Sequence, residues 1–208
     1  MIEATISPRN RRRARFASVV LGLLLALTLA EVGLRIWSTR LAQSDRMDPG
    51  LIQRDPILGW RLTPSWSGQH SHHDFSVRYS IGPDGFRHDP HALPRTNGWI
   101  AVVGDSFTFG LGVNDPETFC SLLNRQLGTR FVNFGVPGYS TDQELLLIER
   151  EILPRHPAEI WLVIYLGNDL LDNLRKVPLQ VSAPKPRFQQ GPSGLQLMPP
   201  GDSEKKDP

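Results

Sequence analysis

The chain has 208 residues, room for one domain of ordinary size plus extensions. It is 39% hydrophobic and 21% charged, with 18 Pro and 18 Gly, so a packed core is affordable beside much irregular chain. The net charge of +2 is unevenly placed: residues 1–40 hold seven Arg against two Glu, which leaves the remainder acidic and without a nucleic-acid surface. One cysteine, Cys120, excludes an internal disulfide framework and a multi-cysteine zinc site.

Residues 1–15 form a basic segment with Arg9, Arg11, Arg12, Arg13 and Arg15. Phe16 to Ala30 then run without a charge, and apolar character resumes after Glu31 as far as Trp37. Fifteen uncharged residues reach roughly 22 Å at about 1.5 Å each, short of a bilayer core of about 30 Å. Extension to Trp37 supplies the missing length, with Glu31 and Arg35 paired four apart and Trp37 suited to an interface. Residues 16–37 therefore predict a transmembrane signal anchor in contact with lipid. The basic flank puts the N-terminus in the cytoplasm and the rest in the periplasm or outside the cell. The competing reading is a signal peptide cleaved after Thr28-Leu29-Ala30.

Residues 38–95 read as a linker and a small β-containing segment. It includes Leu58-Gly59-Trp60-Arg61-Leu62 and the alternating run Phe75–Ile81, followed by the turn Gly82-Pro83-Asp84-Gly85. His70, His72 and His73 stand among Ser, Gly and Gln, and read as a solvated loop with no metal.

Residues 96–176 carry the main pattern. Trp99 to Val103 is a buried parallel strand leading into Gly104-Asp105-Ser106. Asp115-Pro116-Glu117 opens a helix with the stripe Phe119, Leu122, Leu123 and Leu127, and Gly128 ends it. Cys120 on that helix reads as a small buried hydrophobe. Phe131-Val132-Asn133-Phe134 is a second strand. After the loop Gly135–Tyr139, Ser140 or Thr141 caps a helix, with Gln143 and Glu144 at capping-box spacing and Leu145, Ile148 and Ile152 inward. Glu159 to Tyr165 is a third strand, followed by Leu166-Gly167-Asn168-Asp169. Strands alternating with helices predict an α/β, doubly wound parallel sheet. Residues 177–208 are Pro-rich and read as an extended or disordered tail. Its second Gly-Asp-Ser, at 201–203, follows no strand and is a coincidence.

Ligands of open parallel sheets sit beyond the carboxyl ends of the strands, where Ser106, Gly138 and Asn168 fall. Acyl transfer needs a nucleophile and donors for the developing oxyanion. A serine at a helix start has both a hydroxyl and its own N–H. A glycine lets a second N–H approach closely, and an asparagine adds a side-chain donor. The plainer readings are a β-to-α turn at Ser106, turn chemistry at Gly138 and a loop cap at Asn168.

With these blocks in place, the chain resembles the SGNH (GDSL) esterase/lipase family over most of residues 16–175. Gly104-Asp105-Ser106 resembles the first block, Asn133-Phe134-Gly135-Val136-Pro137-Gly138 the second and Asn168-Asp169 the third. Membrane-anchored bacterial members are also similar at Leu58-Gly59-Trp60-Arg61-Leu62, at Asp84-Gly85-Phe86-Arg87 and along Gly135 to Glu144. The resemblance implies a flavodoxin-like three-layer α/β/α sandwich. It also implies a serine esterase acting on acyl or acetyl esters, or on a cell-surface glycan. Ser106 would be the nucleophile, with the Ser106 and Gly138 amides and Asn168 as the oxyanion hole. Asp105 would order the turn, and Asp169 would be a further supporting residue. No metal or organic cofactor is implied.

The chain departs from the family in two places. Leu166 stands where the third block carries glycine, with Gly167 one place later. No histidine follows His156, so the family's Asp-x-x-His block has no counterpart and His156 falls at the wrong edge of the sheet. The expectation is a chain holding the first half to two-thirds of the catalytic domain. The alternatives are a catalytically incompetent membrane-anchored remnant and a polysaccharide O-acyltransferase. A nucleotide binder fits poorly, because the first crest loop lacks a Gly-rich phosphate cradle.

Overall fold

The computed structural model describes residues 8–91, 98–178 and 180–201. The chain divides into two units, Met1–Arg46 and Met47–Pro208.

The first unit is one helix, α1 (Pro8–Ser44). Its stretch Arg15–Thr39, 25 residues, is long and apolar enough to cross a membrane. At about 1.5 Å per residue it reaches about 37 Å, more than a core of about 30 Å requires. Leu21, Leu27 and Trp37 are all exposed along it. Arg35 Nε donates to Glu31 Oε1 at 2.6 Å, the pairing that the four-residue spacing predicts. The expected span, residues 16–37, lies inside this stretch. Residues 1–7 of the expected basic segment lie outside the described residues.

The second unit is mixed α/β. After the two-residue strand β1 (Arg46–Met47) come two hairpins. In the first, β2 (Ile52–Asp55) pairs antiparallel with β3 (Gly59–Leu62), and Asp55 Oδ1 accepts the N–H groups of Ile57 and Leu58 at the turn. In the second, β4 (Ser67–Ser71) pairs antiparallel with β5 (Ser76–Ser80). The alternation that predicts β5 is real, with Val77 and Tyr79 inward. Its partner β4 escapes the pattern because its inward positions are Gly68 and His70.

The central sheet is parallel, in the order β7-β6-β8. Its strands are β6 (Ile100–Gly104), β7 (Phe131–Gly135) and β8 (Glu159–Val163). Helix α2 (Ser106–Phe109) follows β6, and α3 (Phe119–Leu127) leads to β7. Helix α4 (Thr141–Leu147) leads to β8, and α5 (Asp169–Asp172) follows it. Every residue of β6 and β7 is buried. Strand β8 is an edge, with Trp161 and Leu162 exposed.

The predicted stripes of α3 and α4 hold in part: Phe119, Leu123 and Ile148 pack against the core and Ile152 is buried, while Leu122, Leu127 and Leu145 are exposed. Asp115–Glu117 is a separate 3-10 turn, and α3 starts at Phe119, where Thr118 Oγ1 accepts the Ser121 N–H. Leu122 and Leu127 are exposed, while Cys120, Ser121 and Asn124 are buried. Asn124 takes an inward place because it pairs with both backbone groups of Phe131, accepting its N–H at 2.6 Å and donating to its carbonyl at 2.9 Å. On α4 the buried residues are Leu146 and Leu147 rather than Leu145. A π-helical turn over Ile148–Ile152 then shifts the phase and buries Ile152. The expected capping box is not made. Ser140 Oγ donates to Asp142 Oδ1, and that oxygen accepts the Gln143 N–H.

The Pro-rich stretch also differs from expectation. Within residues 180–201, β9 (Arg187–Gly191) and β10 (Gly194–Met198) form an antiparallel hairpin, and Val181, Ala183 and Phe188 pack on the main core. Alternating Leu195 and Leu197 carried that signal beneath the prolines. Residues 202–208, including most of the second Gly-Asp-Ser, lie outside the described residues.

Candidate functional site

Strand β6 delivers Asp105 and Ser106 to the carboxyl edge of the sheet. Asp105 caps α2, its Oδ1 accepting the Phe107 N–H at 2.8 Å. Its other oxygen accepts the Ser106 hydroxyl at 3.5 Å. Burial raises the Asp105 pKa, against the hydrogen bonds from Phe107 and Ser106. Gly104 is required here by space: a Cβ would meet Thr108 Oγ1 at 2.2 Å and the Val163 carbonyl at 2.8 Å.

The loop beyond β7 is fastened to the first. Asn133 donates to the Thr108 carbonyl at 2.7 Å, and the Val136 N–H donates to the Gly104 carbonyl at 3.0 Å. Gly138 has a φ of +80°, and a Cβ there would meet Val181 Cγ2 at 2.3 Å and Trp60 at 3.4 Å. The β3 segment braces this loop from below. Trp60 Nε1 donates to the Pro137 carbonyl at 3.1 Å, and Gln143 Nε2 donates to the Leu58 carbonyl at 2.7 Å. Arg87 does the same for the chain after Ser106. It is ion-paired with Asp115 at 2.8 Å and donates to the carbonyls of Phe109 and Val113.

Beyond β8, Asn168 is the N-cap residue of α5 and is buried. Its Nδ2 donates to Asp172 Oδ2 at 3.3 Å, while its Oδ1 has no partner among the described residues. The Tyr165 N–H donates to Asp169 Oδ2 at 2.6 Å. Tyr165 stacks on Phe107, ring centroids 4.3 Å apart, which joins the first loop to the third. Leu166, the residue at the family's glycine position, is 77% exposed, and Gly167 lies against the Tyr165 ring.

Two features of this crest have no counterpart in the sequence reading. Glu144 is fully buried, and neither carboxylate oxygen has a hydrogen-bond partner among the described residues. Burial, followed by the charges of Asp169, Asp105 and Asp142, pushes it up to about 8. Asp169 rises to about 6, mainly by burial, against the Tyr165 hydrogen bond and with Asp105 and Asp172 adding to the rise. Asp105 before α2, Glu144 on α4 and Asp169 at the start of α5 thus lie within electrostatic reach of one another. The second feature is Lys185, buried in an ion pair with Asp142 at the start of α4 and also donating to the Pro186 carbonyl at 3.2 Å. Burial lowers its pKa, against the pull of Asp142. The spacing of Glu144 predicts a capping-box partner for Thr141, and Lys185 stands among prolines. Neither position advertised burial.

No histidine among the described residues joins Ser106, whose hydroxyl is bonded to Asp105. His156 precedes β8, at the amino edge of the sheet, with a left-handed φ of 52°. His70 is buried and bonded to the Tyr79 hydroxyl at 2.8 Å. His72 and His73 sit in the β4–β5 turn beside Asp74. A cleft of ≈ 380 Å³, lined by Gly82, Asp84, Arg87, Asp89 and Arg130 among others, opens beside the start of β7 rather than at the crest. No known family's sequence model matches the chain, and no curated protein matches it in sequence.

Proposed function

We propose that this chain is a membrane-anchored serine esterase domain of the SGNH (GDSL) type, with a flavodoxin-like fold, acting outside the cytoplasm on acyl or acetyl esters. The observation that carries the reading is the placing of Asp105 and Ser106 at the carboxyl end of the central parallel strand, with Asn168 capping α5 beyond the neighbouring strand. Ser106 Oγ attacks the ester carbonyl, and the alcohol leaves from the tetrahedral intermediate. Water then releases the acid from the acyl-enzyme. The Ser106 and Gly138 amides and the Asn168 side chain hold the oxyanion, each donor contributing about 2.7–4 kcal/mol. The same chemistry with a sugar hydroxyl in place of water gives acyl transfer to a glycan, which donor and acceptor assays separate from hydrolysis. The apolar part of α1 anchors the domain in lipid, and the arginines before it hold the N-terminus in the cytoplasm.

This mechanism needs a base for the Ser106 proton. Among the described residues the hydroxyl's one partner is Asp105, whose buried carboxyl is shifted toward its neutral form. That observation favours a second reading, a membrane-anchored domain that presents the esterase crest without an activated serine. Labelling the full chain in detergent with a fluorophosphonate, beside Ser106→Ala, decides between them. Labelling lost in the variant supports the esterase. No labelling of the folded protein supports the idle domain.

A further inference from the structure

We propose that His72, His73 and Asp74, at the tip of the β4–β5 hairpin, form a binding site for a late first-row divalent metal ion, Zn²⁺ above all. One ligand atom from each of the three residues lies within 4.8 Å of the other two. Asp74 Oδ2 is 2.9 Å from His73 Nε2 and 3.8 Å from His72 Nδ1. A tetrahedral ion with ligands at about 2.0–2.1 Å separates its donors by roughly 3.4 Å. The two measured separations bracket that value, so small rotations of exposed side chains bring the donors onto one ion.

The turn is built to hold these donors. The Ser71–Ser76 pair closes the hairpin, the His72 N–H donates to the Phe75 carbonyl at 2.7 Å, and Gln69 Nε2 donates to Ser76 Oγ at 2.8 Å. His72 is stacked on Phe75 with centroids 5.0 Å apart, and its ring lies 3.9 Å from that of His73. Orientation fixed before binding reduces the entropy lost on coordination. The Asp74 N–H donates to His72 Nδ1 at 3.4 Å, and His73 Nε2 lies 2.9 Å from Asp74 Oδ2. Coordination replaces both contacts, and the proton held between His73 and Asp74 leaves to solvent. Two imidazoles and one carboxylate suit Zn²⁺, Ni²⁺ or Cu²⁺ and discriminate against Mg²⁺ and Ca²⁺, which take oxygen donors. Exposure of His73 and Asp74 leaves the fourth position to water.

The test is calorimetric titration of the full chain, without a polyhistidine tag and in detergent micelles, with ZnCl₂. Visible absorption of the Co²⁺ form reports the geometry. The expected result is one equivalent bound near neutral pH, with affinity lowered in His73→Ala and in the shape-preserving Asp74→Asn by at least the about 10–100-fold that loss of a ligand's hydrogen-bond partner costs. His91→Ala should bind as the parent does. Absence of Zn²⁺ binding in the parent overturns the proposal. So does parental affinity in both hairpin variants, which would put the ion elsewhere.

Discussion

The Tyr139 hydroxyl donates to the Trp60 carbonyl at 2.6 Å, and the two rings stand edge to face with centroids 5.7 Å apart. Trp60 in turn donates to Pro137, so one residue from the small β segment holds both sides of the loop that carries Gly138. Tyr139→Phe would leave the buried Trp60 carbonyl unpartnered, at a cost of about 1–3 kcal/mol. Trp60→Ala would cost about 3–5 kcal/mol. Urea unfolding of the full chain in detergent, followed by circular dichroism, measures both.

Lys185 and Asp142 form a buried pair, so removing one partner should do more harm than removing both. Lys185→Met is expected to destabilise by about 3–5 kcal/mol, because it strands the Asp142 charge. Adding Asp142→Asn should recover much of that loss. A double-mutant cycle in the same unfolding assay supplies the number.

Glu144 predicts a particular pH dependence. Its folded pKa of about 8 lies above the ordinary 4.5, so between those values the folded protein binds more protons than the unfolded chain. Stability from this group is complete below about pH 4.5 and is lost as pH rises through about 8. Glu144→Gln, neutral at every pH, should flatten the decline over that window. Unfolding midpoints at pH 5, 7 and 8.5 for parent and variant check it, and parallel curves would remove Glu144 as the cause.

Gly135 tests close packing without conformational strain. Its φ is not among the positive ones, yet a Cβ there would meet the Phe109 N at 2.1 Å and the Thr108 carbonyl carbon at 2.5 Å. Both are backbone atoms and cannot rotate away. Gly135→Ala should cost about 1–3 kcal/mol in unfolding.

The parallel sheet was readable because β6 and β7 are short apolar runs ending at glycine and are buried on both faces. The order of the crest residues followed from the same runs. On α3 the stripe is legible at Phe119 and Leu123 but not at Leu122 and Leu127, because Asn124, a polar residue, takes a buried place as the partner of a strand's first backbone groups. Strand β4 was missed for a related reason: glycine and histidine fill its inward places. Glu144, Lys185 and the Asp74 contact depend on residues distant in sequence or on how a turn closes, and no periodicity encodes either.

The central strand of the sheet is also the first of the three in chain order. Strands β7 and β8 each pair with β6 and not with each other, so neither can form ladder hydrogen bonds until β6 is in place. Opening β6 therefore releases both neighbours together. Its amides should exchange with solvent only as the whole sheet comes apart, making β6 the slowest-exchanging segment of the second unit.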